Sequence, residues 1–158
     1  MKKALSVISL VLMLNLLGCA AMPVSPIIKE RVLVAAFDST WEATLEALRE
    51  ENFVIDSVDE GKGIIRTRTL KITGEVTKAI SQGYNKTFGK PIEGTYDLSI
   101  KVRIKDEDRT SIRIDTRIKA NFPRHGWYTK SSSGAIENRI FSNIMRRLEQ
   151  DKLLHDWF

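Results

Sequence analysis

Few residues in this 158-residue chain have the types and spacing that chemistry requires. Cys19 is its only cysteine, and it follows Leu16-Leu17-Gly18. Its thiol can take a covalent group, but with no second cysteine it cannot close a disulfide within the chain. The histidines His125 and His155 lie far apart, with no cysteine beside either, whereas a zinc site draws on three or four ligands. Ser131-Ser132-Ser133-Gly134 offers hydroxyls, yet a serine nucleophile needs a histidine base and an orienting acid. That stretch reads as a loop leading to a helix N-cap at Ser133. Asp106 and Asp108 share a solvated turn, where nothing separates their pKa values into acid and base roles. No glycine-rich phosphate loop occurs. The expectation is no catalytic residue, no metal and no cofactor, hence no enzyme.

The surroundings of Cys19 suggest another use for the thiol. Met1-Lys2-Lys3 precedes an apolar run from Ala4 to Leu17. That run is about 21 Å long as a helix, short of the roughly 30 Å hydrocarbon core of a bilayer, so it reads as the apolar part of a leader. Positive start, apolar run and Leu-x-Gly-Cys together resemble the bacterial lipoprotein signal. The resemblance implies cleavage between Gly18 and Cys19, a diacylglycerol on the Cys19 sulfur and acylation of the new amino group. Each buried CH₂ then contributes about 0.8 kcal/mol to membrane attachment. Ala20, where a retained lipoprotein carries aspartate, implies the outer membrane, with the domain facing the periplasm. Residues 1–18 are thus expected as signal peptide, 19–29 as a lipid-anchored tether containing Pro23 and Pro26, and 30–158 as one domain.

The chain carries 25 Lys and Arg against 20 Asp and Glu. Without Lys2 and Lys3 the balance is 23 against 20, a net charge of about +3. About 140 residues suffice for one domain with its own core.

The pattern along that domain alternates in type. Arg31 to Ala36 predicts a short strand. Ser39, with Glu42 three residues on, predicts a capped helix whose Trp41, Thr44, Leu45 and Leu48 share one face. Asn52 suits a left-handed helix stop. Phe53–Val58 and Ile64–Leu70 read as a hairpin about a glycine-containing turn. In the stretch 72–91, Glu75–Ser81 fits one or two helical turns with Val76, Ala79 and Ile80 on a face. Next, Tyr96, Leu98, Ile100, Val102 and Ile104 alternate with polar residues, and Ile112, Ile114, Thr116, Ile118 and Ala120 do the same. Period two means one buried face and one wet face. Opposite charges favour Ile104 opposite Ile112, which sets Lys101 against Asp115 and Asp97 against Lys119. Asn121 to Ser132 reads as a loop. A last helix runs from Ser133 to about Leu153, with Ile136, Ile140, Phe141, Ile144, Met145 and Leu148 inward and Glu137 on the polar side. The economical assembly is an α+β two-layer sandwich, in the order β-α-β-β-β-β-α, with two helices on one face of an antiparallel sheet.

Val32-Leu33-Val34-Ala35-Ala36 leading to Trp41 and Leu45, then Phe53-Val54-Ile55-Asp56-Ser57-Val58-Asp59 and Gly63-Ile64-Ile65-Arg66-Thr67, resemble the helix-grip domains of the BamC (NlpB-type) lipoproteins of the outer-membrane β-barrel assembly complex. The resemblance implies a helix-grip-like fold and an accessory, non-enzymatic envelope role among protein partners. The element order also resembles START-like helix-grip proteins, which implies, as an alternative, a carrier or sensor of a lipid or small apolar ligand.

Two surfaces are candidates for contact. The wet face gathers Lys101, Arg103, Lys105, Arg113, Arg117 and Lys119, with Arg66 and Arg68 near. It reads either as an anion-binding surface or as charge that blocks edge aggregation. Export and the absence of stacking aromatics there argue against nucleic acid. The segment carrying His125, Trp127 and Tyr128 reads either as a partner anchor or as cover for the open end of the core. Trp157 and Phe158 stand on the same terms.

Overall fold

A computed structural model describes residues 27–83 and 89–155, with side chains described as far as 153. The expected leader, Cys19, most of the tether, and Trp157 with Phe158 lie outside the described residues.

The protein is an α+β two-layer sandwich. Its elements run β1 (Glu30–Leu33), α1 (Phe37–Glu50), β2 (Ile55–Asp59), β3 (Ile64–Thr67), β4 (Leu70–Thr73), α2 (Gly74–Ile80), β5 (Glu93–Asp106), β6 (Arg109–Phe122), β7 (Gly126–Lys130) and α3 (Ala135–His155). All strand pairs are antiparallel, in the order β1-β6-β5-β3-β2. The hairpin of β5 and β6 is the spine, and each outer flank is shared. Along β6, β1 pairs residues 110–113 and β7 pairs residues 118–122. Along β5, β3 pairs residues 99–101 and β4 pairs residues 93–96.

The alternating residues direct the layers. Leu98, Ile100, Val102, Ile112 and Ile114 project from one face of the spine into a cluster with Leu48 of α1 and Ile140, Phe141 and Ile144 of α3, all of them at most 1% exposed. Burying such side chains contributes about 1.5–3 kcal/mol each, which is why the helices cover this face. The short α2 lies over the same face at Gly94, where a Cβ would come within 2.2 Å of Thr77 Oγ1. At the start of α2, a Cβ on Gly74 would meet the Pro91 carbonyl oxygen at 1.9 Å. The buried side of α2 is therefore Gly74 and Thr77; Val76, expected to face inward, is exposed.

Helix α1 starts at Phe37, two residues before the expected Ser39, and its N-cap, Ala36, makes no side-chain cap bond. The Ser39–Glu42 capping box does not form, because both residues lie inside the helix; Phe37 instead stacks on Trp41, with ring centroids 5.7 Å apart. At the other end Asn52 has φ 59°, and the amides of Asn52 and Phe53 bond the carbonyls of Arg49 and Leu48 at 3.0 and 2.9 Å, a Schellman stop.

Three further expectations are corrected. The predicted return strand Ile64–Leu70 is broken after Thr67, whose Oγ1 accepts the Leu98 amide at 2.9 Å where the ladder is interrupted. The segment 121–132 is not a loop: Gly126–Lys130 pairs with β6 as β7. The β5–β6 register is two residues from the expected one, with Val102 opposite Ile112, Lys101 opposite Arg113 and Asp97 opposite Arg117. The turn explains this. Asp106 pairs with Arg109 across Glu107 and Asp108, which by itself sets even residues opposite odd ones, and an irregularity between Ile104 and Asp106 restores even opposite even. The expected register, continued to the turn, would set Asp106 opposite Thr110 across three residues instead.

Candidate functional site

The uncovered face of the sheet holds the odd-numbered residues of β5 and β6 and, by register, Glu30 and Val32 of β1, Ile64 and Arg66 of β3, and Trp127 and Thr129 of β7. Near the β1 edge it forms a depression of about 190 Å³ lined by Glu30, Lys101, Arg103, Ser111, Arg113 and Asp115. Ser111, 2% exposed, belongs to its lining. Of the expected anion surface, Lys101, Arg103 and Arg113 come together here; Arg117 does not. Arg117 pairs with Asp97 opposite it at 3.1 Å.

Arg113 turns along its own strand to Asp115, with Nε to Oδ2 at 2.9 Å and a second contact at 3.3 Å. That guanidinium, helped by the more distant charges of Lys29 and Lys101, holds the Asp115 carboxyl below the usual aspartate range against the opposing effect of burial. Lys105 lies 3.8 Å from Glu30. Among the described residues, Lys101 and Arg103 make no ion pair within 4.0 Å. Two cations are thus held at a concavity without a carboxylate in contact, an arrangement able to take a multivalent anionic group.

The second expected surface is divided by the pleat. Trp127 stands opposite Asn121 on the open face and is 50% exposed. Tyr128 stands opposite Ala120 on the helix-bearing face, its ring edge-on to Phe122 at 6.1 Å. His125 is exposed in the β6–β7 turn, its amide bonded to the Phe122 carbonyl at 3.1 Å. The pleat thus sends Trp127 to the open face and Tyr128, 41% exposed, to the side of Phe122.

One buried polar group ran against the expected pattern. Glu137, placed by sequence on the polar side of the last helix, is fully buried. Ser132 Oγ donates to its Oε2 at 2.7 Å and accepts the Gly134 amide at 3.1 Å, so Ser132, not Ser133, serves the start of α3. Ser133 Oγ donates to the Ala79 carbonyl of α2. A glutamate one position from Ile136 was the available signal, but spacing alone cannot tell which side of a first turn a preceding loop covers.

Among the described residues, no group of three or more His, Cys, Asp and Glu side chains is placed to hold a metal ion. No helix among them is long and apolar enough to cross a membrane.

No family model and no curated protein matches the chain. Among solved structures it is similar to a DUF4468 family protein from Bacteroides ovatus, at 14% identity over 68% of this chain and 66% of that one, with a TM-score of 0.37. It is also similar to a TBP-like protein from Parabacteroides distasonis, at 13% identity over 84% of this chain and 94% of that one, with a TM-score of 0.36. The chain spans just under two thirds of the first of these.

Proposed function

We propose that this protein is a non-enzymatic outer-membrane lipoprotein. Acyl chains on Cys19 hold it, its domain faces the periplasm, and it acts through surface contacts as an accessory or structural part of the envelope. The resemblance to BamC domains supports that setting, including a link to outer-membrane protein assembly.

The observation that carries the reading is the contrast between the two faces of the sheet. Between sheet and helices, Ile65, Ile100, Ile114, Phe141 and Ile144 are each fully buried in one cluster, which favours surface contact over the START-like carrier. The opposite face is open and grouped in charge, so the surface that can do something is an outer one.

Purification after gentle solubilisation of the membrane tests this. A stoichiometric protein partner with no extractable apolar ligand is the expected result. A stoichiometric lipid recovered from the domain after delipidation of its N-terminus would restore the carrier. The anchor is tested separately by the mass of the mature N-terminus, and an unmodified Cys19 removes it.

A further inference from the structure

We infer that the open face of the sheet is the side this protein lays against an anionic membrane surface, with head-group phosphates received by Lys101, Arg103 and Arg113.

The rows across the strands carry the argument. One row reads Glu30, Arg113, Lys101, Ile64 from β1 through β6 and β5 to β3, and the next reads Val32, Ser111, Arg103. The first row is closed by the Glu30 carboxylate on the β1 side and by the half-buried Ile64 beside Lys101, and the second carries Val32, 52% exposed, beyond Ser111. Farther along the same face stand Lys119 and, one strand out, Trp127. Cations interleaved with exposed aliphatic and indole groups on one uncovered side suit the head-group boundary of a bilayer, where phosphates meet the first methylenes. An acidic protein surface would match the charges and leave Val32 and Trp127 without a counterpart.

The charges themselves are not arranged for stability. Lys101 and Arg113 face each other, which disfavours the sheet. Asp115 hydrogen-bonds Arg113 and acts on Lys101 only at longer range, so neither Lys101 nor Arg103 has a carboxylate in contact at the depression. A phosphate bearing several acceptor oxygens at that point relieves the repulsion and supplies the missing partners.

The location rests on the anchored-envelope reading above; the chemistry of the face does not. The chain between Cys19 and Ile27 can extend at most about 28 Å. Tethering at that range raises the effective concentration of lipid at the face, so a weak attraction suffices.

The test uses the full chain carrying Cys19→Ser, which takes no acyl group, so the standing of the anchor does not enter. Co-sedimentation is compared on vesicles of phosphatidylcholine alone and with about 30% phosphatidylglycerol. The ratio of the two partition coefficients removes any charge-independent contribution of the leader. The anionic vesicles are expected to be favoured, the preference collapsing in high salt. Lys101→Ala with Arg103→Ala should lower the ratio about twenty-fivefold, at about fivefold per cation. Arg49→Ala with Lys152→Ala removes the same charge from the helices and should leave the ratio within about twofold. In the unsubstituted face, anionic vesicles should shield Lys101 from an amine-acylating reagent, a readout that needs no folded variant. Equal losses in the two pairs would mean net charge alone and overturn the inference, as would no loss in the first pair or an unshielded Lys101. A Lys101 cross-link to an acidic protein with an unchanged vesicle ratio would overturn it in favour of that protein.

Discussion

Lys101 of β5 and Arg113 of β6 face each other directly across the central hairpin, and the second of them is drawn aside by Asp115 two residues along its own strand. The sheet thus keeps a like-charged pair at its middle and uses one carboxylate to make it tolerable.

That arrangement predicts how stability depends on pH. The Asp115 carboxyl sits below its ordinary value of 3.8, chiefly through the Arg113 hydrogen bond. A depressed carboxylate contributes stability that is present above the unfolded value and lost as pH falls through the folded one. The pair is part-exposed, so Asp115→Asn should cost only about 0.5 kcal/mol at neutral pH. Urea melts should show the gap between variant and wild type closing below pH 3.8. A gap of constant size down to pH 2 would assign the loss to packing.

Close approach at α2 gives a sharper mutational contrast. Gly94→Ala drives a methyl into Thr77 Oγ1 and Cγ2, at 2.2 and 2.8 Å, and should cost about 2 kcal/mol. Adding Thr77→Ala removes those two atoms but leaves the Lys119 carbonyl oxygen 2.9 Å from the new methyl, so it should recover only part of that loss. Gly74→Ala meets the Pro91 backbone carbonyl, which no side-chain change can remove, so its loss should resist rescue. Thermal melts of the single and double variants decide the matter.

The Ser132 hydroxyl links the buried Glu137 carboxylate to the Gly134 amide. Ser132→Ala should cost about 2 kcal/mol, the penalty of stranding a buried polar group. Combining it with Glu137→Met removes the stranded acceptor and should be less destabilising than Ser132→Ala alone. Chemical denaturation of the two variants provides the comparison, and a double variant weaker than the single one would mean that Glu137 is held chiefly by other contacts.

Trp127 projects from the open face rather than into the core. Trp127→Ala should therefore melt within about 1 kcal/mol of wild type, while Tyr128→Ala, which removes the ring packed on Phe122, should lose more. Differential scanning calorimetry distinguishes them, and the reverse ranking would place Trp127 in the structural role.

Much of this architecture was legible without coordinates because it follows from local periodicity. The alternation through Leu98, Ile100 and Val102 and through Ile112 and Ile114 names the buried face of the spine, and all five side chains are buried there, whereas Ile104, at the turn end of the same alternation, is 67% exposed. The three-four spacing of Trp41, Thr44, Leu45 and Leu48 named the buried stripe of α1, and Asn52 marked its left-handed stop. Lys101, Arg103, Arg113 and Arg117 were assigned to one wet face, which they share.

What periodicity leaves open is relative placement. Alternation shows which side of a strand is buried, but it is unchanged by a two-residue slip, so the Lys101–Arg113 pairing depended on a tight turn and an irregularity after Ile104. The separation of Trp127 from Tyr128 required β7 to pair with β6, a contact that short polar-aromatic runs do not signal. The burial of Glu137 required a neighbouring loop to supply Ser132. The sequence by itself determined which side of α1 and of the central hairpin turns inward, since that depends on near neighbours and on water. Only the tertiary structure decided which of the outward residues stand side by side, because that depends on where distant strands come to rest.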